Sequence, residues 1–120
     1  MTIVDTSVWI DHFRSGNETL KELLAAESVM MHPFVAGELA CGGLRSRARI
    51  LAALSALPPA LSASHAEVLQ LVDRRRLWGK GIGWIDAHLL ASALLSNSTV
   101  WSFDKPLASA AQALGIASSN

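Results

Sequence analysis

An α/β fold with a small central parallel sheet between helical layers is predicted by two features of the sequence. Short apolar runs of strand length, Ile3-Val4, Val29-Met30-Met31 and Thr99-Val100-Trp101, are each followed by a segment with helical spacing. Two of these runs end in an acid, Asp5 and Asp104, which places charge at the carboxyl ends of strands, where open parallel sheets bind ligands. At 120 residues the chain fits one domain, residues 1–120, large enough to bury a real core.

Taken in order, Ile3-Val4 reads as a buried strand, and Val8 to Phe13 as a short helix that stops at Gly16. Asn17 caps a second helix with Leu20, Leu23 and Leu24 as its apolar stripe. Ser28 to His32 is the second strand. Pro33 opens a helix through Cys41 that ends at Gly42-Gly43 and carries the lone acid Glu38. A fourth helix from about Ser46 shows Ile50, Leu51, Leu54 and Leu57 at helical spacing, and Pro58-Pro59 stops it. Leu61 to Ala63 reads as a brief strand. Ser64 and Glu67 then form a capping box for a fifth helix that ends near Gly79. Trp84 to Leu95 is nearly all apolar apart from Asp86 and His88, hence central. Thr99 to Phe103 is the last buried strand, Asp104 sits at its end, a helix from about Lys105 to Leu114 follows, and Ile116-Ala117 adds an edge strand.

Composition narrows the class. With 51% apolar and 17% charged residues the chain is globular, and no apolar run reaches the ~18 residues of a membrane span, which with the lack of a signal-peptide core points to the cytoplasm. The single cysteine, Cys41, reads as a small buried hydrophobe. A net charge of zero conceals an uneven distribution: residues 45 to 80 carry +5, and the flanks −5. Arg45, Arg49, Arg74, Arg75 and Arg76 are therefore either solvated helix faces or contacts to the phosphates of a nucleic acid. Trp9, Trp84 and Trp101 read as core, as does Trp78, which otherwise stacks on a base or lies at an interface.

Singly, each acid has an ordinary role: Asp5 and Asp104 as helix caps, Glu38 and Asp86 as half-exposed helix positions. Jointly they fall at strand ends or inside apolar helices, where charge is costly unless paired or bound to an ion. Lys105 is the one obvious cation nearby, so a hard divalent ion on oxygen ligands, Mg²⁺ or Mn²⁺, is the natural partner. His12, His32, His65 and His88 lack paired ligand spacing and read as surface or satisfied core residues.

The run Ile3-Val4-Asp5-Thr6-Ser7 with Trp9, the isolated Glu38, Trp84-Ile85-Asp86-Ala87 before an apolar helix, and Asp104 after a hydrophobic strand resemble the PIN-domain nucleases, and among them the VapC toxins of type II toxin–antitoxin pairs. The resemblance covers essentially the whole chain. It implies a three-layer α/β/α sandwich and a metal-dependent endoribonuclease that hydrolyses RNA by a metal-activated water. It also implies that Asp5, Glu38, Asp86 and Asp104 bind one or two Mg²⁺ or Mn²⁺ ions, supported by the hydroxyl of Thr6 or Ser7. Many relatives carry a further acid at the position of Pro106, so a second ion would lack one ligand here. Expected partners are the RNA substrate, a cognate antitoxin crossing the active-site groove, which Leu20, Leu23 and Leu24 near Phe34 and Leu39 would supply, and a second copy in a homodimer. Two other readings remain at this point. A response-regulator receiver domain shares the alternating order and the Lys105-Pro106 pair, but no aspartate lies between Asp11 and Asp73 to accept a phosphoryl group. A PIN-like binding module without catalysis is the other.

Overall fold

The computed structural model describes residues 1–120. In chain order the elements are β1 (Thr2–Val4), α1 (Thr6–Ser15), α2 (Glu18–Ala25), β2 (Val29–Met30), α3 (Pro33–Cys41), α4 (Arg47–Ser55), α5 (His65–Arg74), α6 (Trp84–Leu95), β3 (Thr99–Trp101) and α7 (Lys105–Ala113). The sheet is parallel with the order β2-β1-β3, and helices pack around it as the PIN-like α/β/α sandwich that the sequence predicts. Isolated parallel bridges widen it at both edges, Met31 to Pro59 and Val100 to Ala117, so the expected final edge strand is a single bridge.

β1 is the centre of this arrangement. The chain leaves it on one side to reach β2 and returns on the other as β3, so the strand order reverses at the carboxyl ends of β1 and β3. That is where a crevice opens in a parallel sheet. Ile3, Val4, Val8, Leu20, Val35, Leu89, Leu90, Val100 and Leu107 fill the core around it. α6 runs through the middle, with every residue from Ala87 to Ala93 buried, as its apolar sequence predicts.

Four helix ends share one device. The chain turns through a residue of positive φ, Glu27, Arg76, Asn97 or Gly115, and the next amide bonds back five residues, as in Leu77 N to Val72 O at 3.0 Å and Ser98 N to Ala93 O at 2.9 Å. This corrects the end of α5, which stops at Arg74 and not near Gly79: the turn at Arg76 is what carries Leu77 into the core. The strand expected at Leu61 to Ala63 is also absent. The backbone of Leu61 is taken by serines of α6 and its C-cap, since Ser92 Oγ donates to the Leu61 carbonyl and Leu61 N donates to Ser96 Oγ at 2.9 Å.

Trp9 and Trp101 are buried as expected, whereas Trp84 is 40% and Trp78 61% exposed, so these two are not core residues. Both stand just outside packed segments, at the first position of α6 and in the turn after α5, where no second layer covers them. Cys41 is exposed, at the last position of α3 beyond the buried Leu39.

His32 departs from the satisfied-histidine expectation. It caps α3, Nδ1 accepting from Phe34 N at 3.0 Å, which leaves Nε2 buried and without a partner. Burial, and then the charge of His88, lower its pKa to about 4. The folded chain therefore keeps His32 neutral while the unfolded chain protonates it at its ordinary value of 6.5. Stability is full above pH 6.5 and is lost as pH falls towards about 4. In His32→Asn the amide oxygen still caps the helix but does not titrate. Denaturant titrations across this window should show a flatter pH dependence for the variant, with His88, whose pKa burial also lowers, contributing to the slope that remains.

Candidate active site at the carboxyl edge of the sheet

Asp5 follows β1 directly and its amide continues the ladder, donating to Trp101 O at 2.9 Å. It occupies the N-cap position of α1, yet its side chain makes no cap bond. Instead Oδ2 accepts from Ser7 Oγ and from Ser102 Oγ, both at 2.7 Å. Ser102 in turn accepts the Asp104 amide at 2.9 Å, and Ser7 accepts the Phe103 amide at 3.0 Å. Two hydroxyls thus lace the ends of β1 and β3 together. The local sequence pattern does not single out Ser102, whose one signal is a hydroxyl two residues before the strand-end acid.

The other acids are fixed in the same way. Thr6 Oγ1 donates to Glu38 Oε1 at 2.7 Å, which joins α1 to α3 and shows that Thr6 serves Glu38 while Ser7 serves Asp5. Asp86, in the first turn of α6, accepts the Gly83 amide at Oδ2, 3.1 Å away. Asp104 caps α7, Oδ2 accepting from Leu107 N at 3.1 Å. In each carboxylate one oxygen is tied to a donor, and the second has neither a hydrogen-bond partner nor a place among the buried unpaired atoms.

Charge reveals how these groups sit relative to one another. The Asp86 pKa is raised, chiefly by burial, with the Gly83 amide opposing and the charges of Asp5, Asp104 and Glu38 raising it further. All three other acids therefore act on Asp86. No Lys or Arg neutralises them: the one salt bridge of the protein joins Lys21 to Glu18, and Lys105 stays exposed and unpaired. No three His, Cys, Asp or Glu side chains are drawn together into a ready-made ligand shell. Uncompensated carboxylates repel: a pair at ~4 Å costs roughly 4 kcal/mol at an effective dielectric near 20. Donor chemistry, charge and free oxygens suit a hard divalent cation such as Mg²⁺ or Mn²⁺, which takes oxygen ligands.

A cavity of about 620 Å³ adjoins this edge and has Glu38 in its wall. Ile10, Phe13 and Leu39 supply apolar surface, and Arg14, Arg45 and Arg49 supply charge. The groove expected from Leu20, Leu23 and Leu24 is not there, because Leu20 is fully buried and the other two pack on the core. Arg45 precedes α4, so it shares no helix face with Arg49; the two meet across the cavity instead. Arg47 between them is structural, its guanidinium donating to Ala40 O at 3.2 and 2.9 Å and so closing the end of α3. Arg74, Arg75 and Arg76 lie at the far end of α5, exposed and unpaired. His88 and His32 form a ladder of ring contacts with Phe34, Trp84 and His65, with centroids 4.7 to 6.4 Å apart, beside the acids and not among them.

Two known proteins are similar to this chain, both called Ribonuclease VapC32 and both from Mycobacterium tuberculosis, strains CDC 1551 / Oshkosh and ATCC 25618 / H37Rv. Each is 45% identical over 118 residues, which cover 98% of this chain and 95% of the relative. The PIN domain family matches residues 2–113, from the start of β1 to the end of α7. A receiver domain needs a mid-chain aspartate that this sequence lacks, and a match of this extent leaves that alternative no support: the chain belongs to the PIN domain family.

Proposed function

We propose that the chain is the toxin of a type II toxin–antitoxin pair, a metal-dependent endoribonuclease in which Asp5, Glu38, Asp86 and Asp104 hold Mg²⁺ or Mn²⁺. The observation that carries the site assignment is the common state of the four carboxylates, each with one oxygen anchored, one oxygen free and no basic side chain to neutralise it. Divalent ions bound there would supply Lewis acidity to the scissile phosphate and lower the pKa of the attacking water.

The side chains of the site position and do not attack. Ser7 Oγ is committed to Asp5 and to the Phe103 amide, and Thr6 Oγ1 to Glu38, so neither hydroxyl is poised as a nucleophile. Ser7 and Ser102 aim the free oxygen of Asp5, the Gly83 amide aims that of Asp86, and the entry to α7 aims that of Asp104. With Pro106 at the position where the family resemblance implies a further acid, one ion is held more fully than a second.

Arg45, Arg49 and the run Arg74 to Arg76 bind RNA phosphates. The antitoxin segment occupies the cavity beside Glu38, where apolar walls and three arginines suit an amphipathic segment with acidic side chains. The exposed ring ladder of Phe34 and Trp84 is the surface for a second copy in a homodimer. Residues 1–120 act as one domain in the cytoplasm, and no helix is long and apolar enough to cross a membrane. The deciding experiment incubates the purified chain with single-stranded RNA. Cleavage that needs Mg²⁺ or Mn²⁺, stops in EDTA and is silenced by the antitoxin is expected; binding without cleavage would make this a non-catalytic PIN module.

Ser102 gives a finer test. Ser102→Ala removes one of two donors to Asp5 and releases the Asp104 amide. Loss of such a supporting hydrogen bond should weaken Mn²⁺ binding, read by calorimetry, about 10- to 100-fold. Cleavage should recover at saturating Mn²⁺, and Ser102→Thr should stay near the parent value. Unchanged Mn²⁺ affinity would show that Ser7 alone suffices.

A further inference from the structure

The turn between α5 and α6 presents a side chain that the fold does not use. Its ends are anchored by Leu77, buried in the core, and Ile82, packed against it. Between them Trp78, Gly79 and Lys80 are exposed, and Gly79 and Gly81 take positive φ. Trp78, 61% exposed, is the most exposed large apolar side chain in the protein, and none of the ring contacts includes it. Arg74, Arg75, Arg76 and Lys80 surround it in sequence, all exposed and none in a salt bridge.

The turn also leads to the acids. Gly81 lies against the Pro106 ring, two residues past Asp104, where a Cβ would approach Pro106 Cγ to 3.4 Å. Gly83 donates its amide to Asp86. Arg75 and Lys80 flank a cavity of about 170 Å³ that Pro106 also borders. Gly83 is five positions on from Trp78, so their Cα atoms lie at most ~18 Å apart.

Building on the ribonuclease reading, we infer that Trp78 is a stacking platform for an unpaired base, with Arg75 and Lys80 holding the adjoining phosphates, so that single-stranded RNA is gripped beside the acid cluster. A flat π face among unpaired cations fits a nucleic-acid strand, whose bases stack on aromatic side chains while its backbone is held by charge. Protein interfaces are depleted in lysine at their centres and fit this surface less well. The base must be unstacked to lie on Trp78, so duplex RNA gains nothing from it.

The test uses fluorescein-labelled oligo(A) and oligo(U), and the duplex formed from them, titrated with the full chain in EDTA. Trp78→Ala should weaken binding to the single strands about tenfold, within the range for one stacked base, and leave the duplex affinity unchanged. Trp78→Phe should stay near the parent. Lys80→Ala should lower the salt slope on single strands by ~0.7. Equal single-strand affinity of the parent and Trp78→Ala, or equal loss on single strands and duplex, overturns the platform, as does a Trp78→Ala protein that keeps its RNA affinity and loses self-association or antitoxin binding. The hydrolase reading fails separately: a parent chain that binds single strands through Trp78 yet does not cut them in Mg²⁺ keeps the platform and loses the nuclease.

Discussion

Asp5→Asn should lose at least about a thousandfold in RNA cleavage at fixed Mg²⁺, since removing several kcal/mol of metal-borne transition-state stabilisation costs a factor of ten per ~1.4 kcal/mol. Asparagine is the informative substitution. Its amide oxygen still accepts from Ser7 and Ser102, so the lacing between β1 and β3 survives, whereas alanine would strand both hydroxyls. Only the charge and the metal-binding oxygen go. Without a divalent ion the variant should melt at or above the parent temperature, because one of the charges that raise the Asp86 pKa has been removed. By NMR, Asp86 should then titrate lower than in the parent. Parent-like cleavage by Asp5→Asn would remove Asp5 from the site. Inactivity together with a large loss of stability would give it a structural role instead.

What the sequence makes legible here follows from range. Asp5, Glu38, Asp86 and Asp104 stand out because each is a charge where local pattern asks for an apolar residue or a cap, and the α/β order is carried by runs such as Ile3-Val4 and Thr99-Val100-Trp101. Ser102 does not stand out, since its bond to Asp5 spans 97 positions and a serine at a strand end is ordinary. Leu61 to Ala63 is misread for a similar reason: Ser92 and Ser96, far along the chain, take up the backbone groups a strand would have used. Arg76 in a left-handed conformation, where glycine is the local expectation, is imposed by the burial of Leu77 one residue later. The partner of Thr6 was equally out of reach, because Glu38 joins it only once α1 packs on α3.

Leu89→Ala should destabilise the protein by about 2–5 kcal/mol, the usual cost of a cavity at a fully buried leucine. That is a large share of the 5–15 kcal/mol that holds a typical domain together. Leu89 lies on α6, which packs on β1, β3 and α5 and carries Asp86 in its first turn, so the same helix supports both the core and the site. The two roles separate experimentally. Ligand binding adds stability in proportion to the logarithm of free ligand over its dissociation constant, whatever the starting stability. If the cavity is absorbed within the core, Mn²⁺ should add as much unfolding free energy to Leu89→Ala as to the parent, in chemical denaturation at matched temperature. If the Mn²⁺ increment shrinks while most of the protein is folded, loosening of α6 has reached Asp86, and the acid cluster depends on core packing as well as on the Gly83 amide that anchors it.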